Sequence, residues 1–142
     1  RVRLKFIGDR SLFPASALPA IREMEELSKD GDKLQVNLLF CYGGRQEIVA
    51  GVKKLAQQAQ KGAIALDQIT DKEFEQMLWT AGIPEPDLIV RTGGVKRISN
   101  FLLFQAAYSE LFFLDCYWPE ITKNDLKQII DSFGERQRNF GK

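Results

Sequence analysis

Three cations and a hydroxyl crowd around one glycine pair: Arg91, Lys96, Arg97 and Ser99 flank Gly93-Gly94. Arginine's planar fork suits phosphate oxygens in bidentate fashion, lysine adds a point charge, and a serine hydroxyl donates one further bond. The plain alternative is a solvated basic loop. A second glycine pair, Gly43-Gly44, is followed directly by Arg45. Glycine at such a turn lets backbone approach an anion, and a following helix start offers free N–H groups. A strand-to-helix turn also needs glycine for conformational reasons alone. Gly43, Gly44, Arg45 and Lys96 are therefore secondary phosphate candidates. Glu110 lies between Ser109 and the apolar Leu111-Phe112-Phe113, at the edge of an expected buried region. Its carboxylate would either pair with Arg91 or Arg97, or serve as a ligand for Mg²⁺, which takes carboxylate and phosphate oxygens together.

Composition narrows the chemistry further. The chain has 142 residues, 44% hydrophobic, enough for one sizeable core. With 20 basic against 19 acidic residues, it has no broad basic field for nucleic acid, so a phosphate must be caught locally. Histidine is absent, which removes Ser-His-Asp and Cys-His devices, HExxH zinc sites and histidine bases. The two cysteines, Cys41 and Cys116, lack CxxC spacing. Cys41 follows Leu38-Leu39-Phe40 and reads as a buried, inert thiol in a reducing, cytoplasmic setting. No apolar run reaches the roughly 20 residues of a spanning helix.

These residues must be positioned by alternating strands and helices. Val2, Leu4 and Phe6 share one face of a strand that stops at Gly8-Asp9, and Leu18, Ile21, Met24 and Leu27 recur at helical spacing before Gly31. Leu34 to Tyr42 reads as a strand ending at Gly43-Gly44. Ile48, Val52, Leu55 and Ala59 then mark a helix closed by Gly62. Thr70 and Glu73 make a capping box for a short helix that Gly82 and Pro84 stop. Asp87 to Arg91 reads as a buried parallel strand, Ile98 to Tyr108 as a helix apolar nearly all round, and Leu111 to Leu114 as another strand. A last helix starts near Thr122 and carries Leu126, Ile129, Ile130, Phe133 and Phe140 on one stripe. This order predicts an α/β fold with a mainly parallel sheet and helices on both faces. Both glycine pairs then fall at C-terminal strand ends, where ligands of such sheets collect. The chain opens inside a strand pattern without methionine, and so reads as residues 1–142 of the C-terminal part of a longer single domain.

The run RTGGVKRISNFLLFQAAYSELFF, Arg91 to Phe113, followed by WPEI, resembles the cis-prenyltransferases, the undecaprenyl diphosphate synthases and their relatives. The resemblance extends through RLKFIGD, YGGRQEIVAGV and RNFGK, essentially the whole chain. It implies an enzyme that condenses isopentenyl diphosphate with an allylic diphosphate of the farnesyl type, with Mg²⁺ as cofactor. It implies that Arg91, Arg97 and Ser99 grip the diphosphate of isopentenyl diphosphate and that Glu110 helps hold the Mg²⁺. The growing chain needs an apolar tunnel, for which Leu34, Val36, Leu38 and Phe40 are wall candidates. A homodimer is implied, with the C-terminal Arg138-Asn139-Phe140-Gly141 near the partner, as is peripheral membrane contact for the lipid product.

Two departures qualify the match. Lys96 stands where many relatives carry histidine, which takes away a proton shuttle and leaves a fixed charge. The family's N-terminal turn of aspartate and glycine, which binds the allylic diphosphate, has no counterpart here, so half of the site is present and the isolated chain should be inactive. A non-catalytic subunit that activates a partner is the rival reading, and a phosphate-binding module without isoprenoid affinity is a second.

Overall fold

In the computed structural model, residues 1–135 are described. They gather into two compact units, Arg1–Ile83 and a second beginning at Pro84. In the first unit, strand β1 (Val2–Ile7) lies parallel to β2 (Leu34–Leu39), with Val2 opposite Leu34 and Ile7 opposite Leu39. Parallel neighbours need a crossover, and helix α1 (Leu18–Ser28) supplies it. Gly8 ends β1 at φ 148°, and a Cβ there would lie 1.9 Å from the Phe40 carbonyl oxygen. Glycine is thus required where the chain leaves the strand beside its neighbour.

Helix α2 (Gly44–Gln60) follows β2, and a short α3 (Asp71–Glu75) packs against it. The Thr70–Glu73 pair expected at the start of α3 is present: the Glu73 carboxylate accepts from the Thr70 N–H at 3.3 Å and from its hydroxyl. Ile7, Phe13, Ile21, Leu55 and Leu78 form the buried core of this unit. Phe13 and Phe40 meet edge to face at 5.0 Å, the arrangement that aromatic quadrupoles favour.

In the second unit, β3 (Leu88–Arg91) runs parallel to β4 (Glu110–Phe113), Leu88 opposite Glu110 and Arg91 opposite Phe113. Helix α4 (Lys123–Glu135) follows and buries Ile129. Its start is capped by Thr122 and Asp125: the Asp125 carboxylate accepts from the Thr122 N–H at 2.8 Å, and the Asp125 N–H donates to the Thr122 hydroxyl at 3.2 Å. Phe140 and the Arg138-Asn139-Phe140-Gly141 segment lie outside the described residues.

Two expectations are corrected. The expected helix from Ile98 to Tyr108 is instead a run of turns and bends over residues 99–108. Ser99, Asn100 and Leu102 all hold positive φ, between 46° and 66°, and left-handed residues break the i to i−4 ladder that apolar periodicity alone would favour. Cys41 is exposed rather than buried, because it has already left β2 at φ 48°, its thiol facing the Leu12 carbonyl at 3.5 Å. The α/β class with parallel strand pairs is as expected, a helix making the crossover from β1 to β2 and turns that from β3 to β4.

Candidate functional site: a cationic turn at the end of β3

Arg91 is the last residue of β3, and the turn after it folds back onto its side chain. Its Nη1 donates to the Arg97 carbonyl and, at 2.7 Å, to the Ser99 hydroxyl oxygen. One side chain therefore sets the shape of the loop that carries Lys96, Arg97 and Ser99. Since Ser99 Oγ accepts from Arg91, the hydroxyl proton is left to point elsewhere. Ser99 holds φ 47° and Gly93 and Gly94 hold φ 90° and 70°, so the loop is built largely from left-handed residues. Side-chain cations at Lys96 and Arg97 are exposed, while Arg91 is half-buried.

The expected backbone cradle is not formed. The Gly93 N–H donates to the Cys116 carbonyl at 2.9 Å and the Gly94 N–H to that of Leu114 at 3.0 Å. No helix start follows, so the arginine, lysine and serine side chains are the donors this turn could offer an anion. The glycines serve conformation and closure against the segment after β4.

Glu110 is placed differently from the other three. It opens β4 opposite Leu88, its N–H donating to the Asp87 carbonyl at 3.0 Å. Arg91 sits three residues further along the same pair, about 10 Å by strand rise. Arg91, Arg97 and Ser99 are thus brought together, and Glu110 lies at the other end of the strands. Its half-buried carboxylate is a hard donor of the kind Mg²⁺ uses, and Mg²⁺ takes one or two carboxylates plus phosphate oxygens rather than an all-protein cage. Among the described residues no group of three acidic, histidine or cysteine side chains gathers for a metal. Glu110 fits as a single ligand that a diphosphate would complete.

The Gly43-Gly44 turn lies in the other unit. Gly43 is the N-cap of α2 with extended φ −156°, so positive φ is not what glycine supplies here. Both glycines are buried and Arg45 is exposed beside them. The residue that organises this turn escaped sequence reasoning. Glu47 is fully buried, and it accepts from the Tyr42 hydroxyl at 2.5 Å and from the Thr80 N–H and hydroxyl at 3.0 and 2.9 Å. It ties the strand exit, the first turn of α2 and the segment after α3 together. An acidic residue in a first helical turn was the available signal, but its burial could not be read from spacing.

Leu34, the tunnel candidate, shares a sheet face with Val2, and Leu38 and Phe40 follow on the same alternation. All four are exposed, Leu34 at 57% and Val2 at 47%. Val2, Leu34 and Leu38 form an open apolar face of the β1–β2 pair, the tunnel candidate Val36 beside them is half-buried, and Phe40, just past β2, packs on the buried Phe13.

These features place the chain among α/β proteins with cationic side chains clustered at a parallel strand end. The family model described as putative undecaprenyl diphosphate synthase matches residues 1–141, and the chain belongs to that family. It is 44% identical over its full length to the tritrans,polycis-undecaprenyl-diphosphate synthase (geranylgeranyl-diphosphate specific) of Thermoplasma acidophilum, covering 55% of that protein. It is 41% identical to the ditrans,polycis-undecaprenyl-diphosphate synthase ((2E,6E)-farnesyl-diphosphate specific) of Legionella pneumophila, with 99% of this chain and 59% of that one aligned. Among solved structures, lavandulyl diphosphate synthase from Lavandula x intermedia in complex with dimethylallyl diphosphate superposes with TM-score 0.94 at 34% identity. That match covers 99% of this chain and 61% of the other. The chain spans little more than half the length of the curated relatives it matches. Among the described residues no helix is long and apolar enough to cross a membrane.

Proposed function

We propose that the protein to which this chain belongs elongates a prenyl chain in the cis configuration, condensing isopentenyl diphosphate with an allylic diphosphate to make a polyprenyl diphosphate lipid carrier of the undecaprenyl type. The observation that carries this reading is the Arg91–Ser99 contact at the end of β3, in a chain that matches the family over almost all its length. Arg91, Arg97 and Ser99 hold the diphosphate of isopentenyl diphosphate. With Nη1 engaged by the loop, Arg91 presents its remaining donors to phosphate oxygens, and Ser99 donates its free hydroxyl proton. Lys96 adds fixed charge at the rim, and Gly43, Gly44 and Arg45 are a secondary phosphate turn.

Glu110 supplies one carboxylate to a Mg²⁺ ion, whose contribution when bound is neutralisation of diphosphate charge. Condensation breaks the C1–O bond of the allylic diphosphate, releasing inorganic diphosphate, and joins C1 to the terminal alkene carbon of isopentenyl diphosphate; loss of a proton from the neighbouring carbon then restores a double bond in the longer chain. The residues of this chain act by positioning and by charge, which dominate where little covalent work falls to the protein. The primer is an allylic diphosphate of the farnesyl or geranylgeranyl class named for the relatives, and its apolar tail lies along the Leu34, Leu38 and Phe40 face. The same reading takes the enzyme as a cytoplasmic homodimer that delivers its lipid to a membrane surface.

Calorimetric titration of isopentenyl diphosphate with Mg²⁺ into the chain and into Arg97→Ala tests the assignment, with folding checked by circular dichroism. The parent binds, and the variant loses at least about 1.5 kcal/mol, as for a charge-assisted contact. Equal binding by both folded proteins would overturn the placement of the diphosphate.

A further inference from the structure

A strand with a neighbour on one side only leaves every second N–H and C=O facing outward, a template for pairing with another chain. In β1 the odd residues face β2: the Arg1 carbonyl accepts from Lys33 at 3.0 Å and that of Ile7 from Phe40 at 2.9 Å. The even residues face away, and side chains take three of their groups, the Leu4 and Phe6 N–H and the Phe6 carbonyl. The Leu4 N–H donates to Ser28 Oγ at 3.0 Å, and the Phe6 N–H to Glu25 Oε1 at 3.0 Å. The Phe6 carbonyl accepts from Arg10 Nη2 at 3.1 Å, and the same nitrogen binds Glu25 Oε1 at 2.6 Å. Ser28 is itself anchored, its hydroxyl donating to the Met24 carbonyl at 2.6 Å.

The Gly31 backbone packs against β1 at Val2. A groove of about 610 Å³ runs along this edge, lined by β1 and by Leu78, Trp79 and Ile83. It is roomy enough for an extended segment, so sterics alone do not prevent pairing. We propose that Arg10, Glu25 and Ser28 form an edge guard that occupies the outward N–H groups of Leu4 and Phe6 and the Phe6 carbonyl, and keeps a second copy of this chain from pairing there. Glu25 is the centre of the device, because it accepts from backbone and from guanidinium at once. Arg3 and Lys5 add a second barrier, since two copies of β1 paired antiparallel would set these cations against each other. The inference is independent of the diphosphate site.

The test compares the parent chain with a Glu25→Ala/Ser28→Ala variant, both checked for fold by circular dichroism. It combines amide hydrogen exchange with sedimentation velocity over a concentration series, at about 0.5 M salt so that the Arg3 and Lys5 repulsion is screened. In the parent, Leu4 and Phe6 amides are protected at all concentrations. In the dilute variant they exchange at least about 10-fold faster, while the Phe40 amide is unchanged. At high concentration the variant's mass rises and protection returns at Leu4 and Phe6. A variant that keeps the parent's mass throughout, or whose exchange does not depend on concentration, overturns the guard. Should the double variant not fold, Ser28→Ala alone is read at Leu4, where unchanged protection has the same meaning.

Discussion

Arg91 and Arg97 carry the same charge and should not respond alike to substitution. Arg91 shapes the loop through Ser99 and the Arg97 carbonyl, whereas the exposed Arg97 side chain offers charge to a ligand. Arg91→Ala should weaken isopentenyl diphosphate binding more than Arg97→Ala, and should also loosen residues 97–99. Arg97→Lys should recover part of the affinity, because the charge persists while the fork is lost. Ser99→Ala removes one neutral donor and should cost about 1 kcal/mol of binding. Titration of the four variants orders them, and a smaller loss at Arg91 than at Ser99 would refute the shaping role. That these residue types could bind an anion was legible from residue identity. That the glycine N–H groups were already engaged was not, since their partners, Leu114 and Cys116, come from beyond β4.

At the scale of the element, two turns depend on contacts that no local pattern announces. Glu47 takes three hydrogen bonds from Tyr42 and Thr80, and Glu47→Ala leaves those buried donors without this acceptor. Urea unfolding should show a loss of about 2 to 3 kcal/mol, with Glu47→Gln milder because one oxygen still accepts. Gly8→Ala forces a Cβ to within 1.9 Å of the Phe40 oxygen, so the strand exit must move. A loss of more than about 2 kcal/mol is expected there, and near-parent stability would mean that the exit relaxes freely. Strands and caps were read well: β1, β2, α1, α2 and the Thr70 and Thr122 starts all fall close to their expected places. The failure at 98–108 has a definite cause. Leu102, Leu103, Phe104 and Ala106 satisfy helical periodicity, but the left-handed Ser99, Asn100 and Leu102 interrupt it in a loop that must return to Arg91.

Across the whole molecule, acid stability follows from three carboxylates held below their ordinary range. Burial pushes Glu25 up, but the Arg10 guanidinium, the Phe6 N–H and nearby Lys5 outweigh it. The Thr70 hydroxyl lowers Glu73, and Thr122 lowers Asp125. A depressed folded pKa stabilises at pH above the unfolded value, 4.5 for Glu and 3.8 for Asp, and that contribution vanishes as pH falls through the folded value. Urea midpoints should therefore be flat from neutral pH down to about 5 and fall below it. Glu25→Gln should shallow that fall. Activity is a separate matter: if Arg91, Arg97 and Ser99 hold isopentenyl diphosphate as proposed, a chain without a match to the family's allylic diphosphate turn should by itself show no Mg²⁺-dependent prenyl transfer. Radiolabelled isopentenyl diphosphate entering a lipid product would disprove this. The exposed Val2, Leu34, Leu38 and Phe40 face should bind a hydrophobic dye, since patches of this kind mark contacts with apolar ligands or chain.

What the sequence determined by itself was which residues could do chemistry and most of the alternation of elements, because residue type sets hydrogen-bonding capacity and charge, and apolar period favours strand or helix. Arg91, Arg97, Ser99 and Glu110 were visible on those grounds, and the family resemblance added their roles. Only the tertiary structure decided which of them meet. Arg91 and Ser99 are joined because a left-handed loop folds back, while Glu110 is set at the opposite end because register in a parallel pair is fixed by the crossover. The burial of Glu47, the exposure of Cys41 and the Arg10–Glu25–Ser28 guard over β1 were decided in the same way, by contacts between residues far apart in the chain, to which local periodicity is blind.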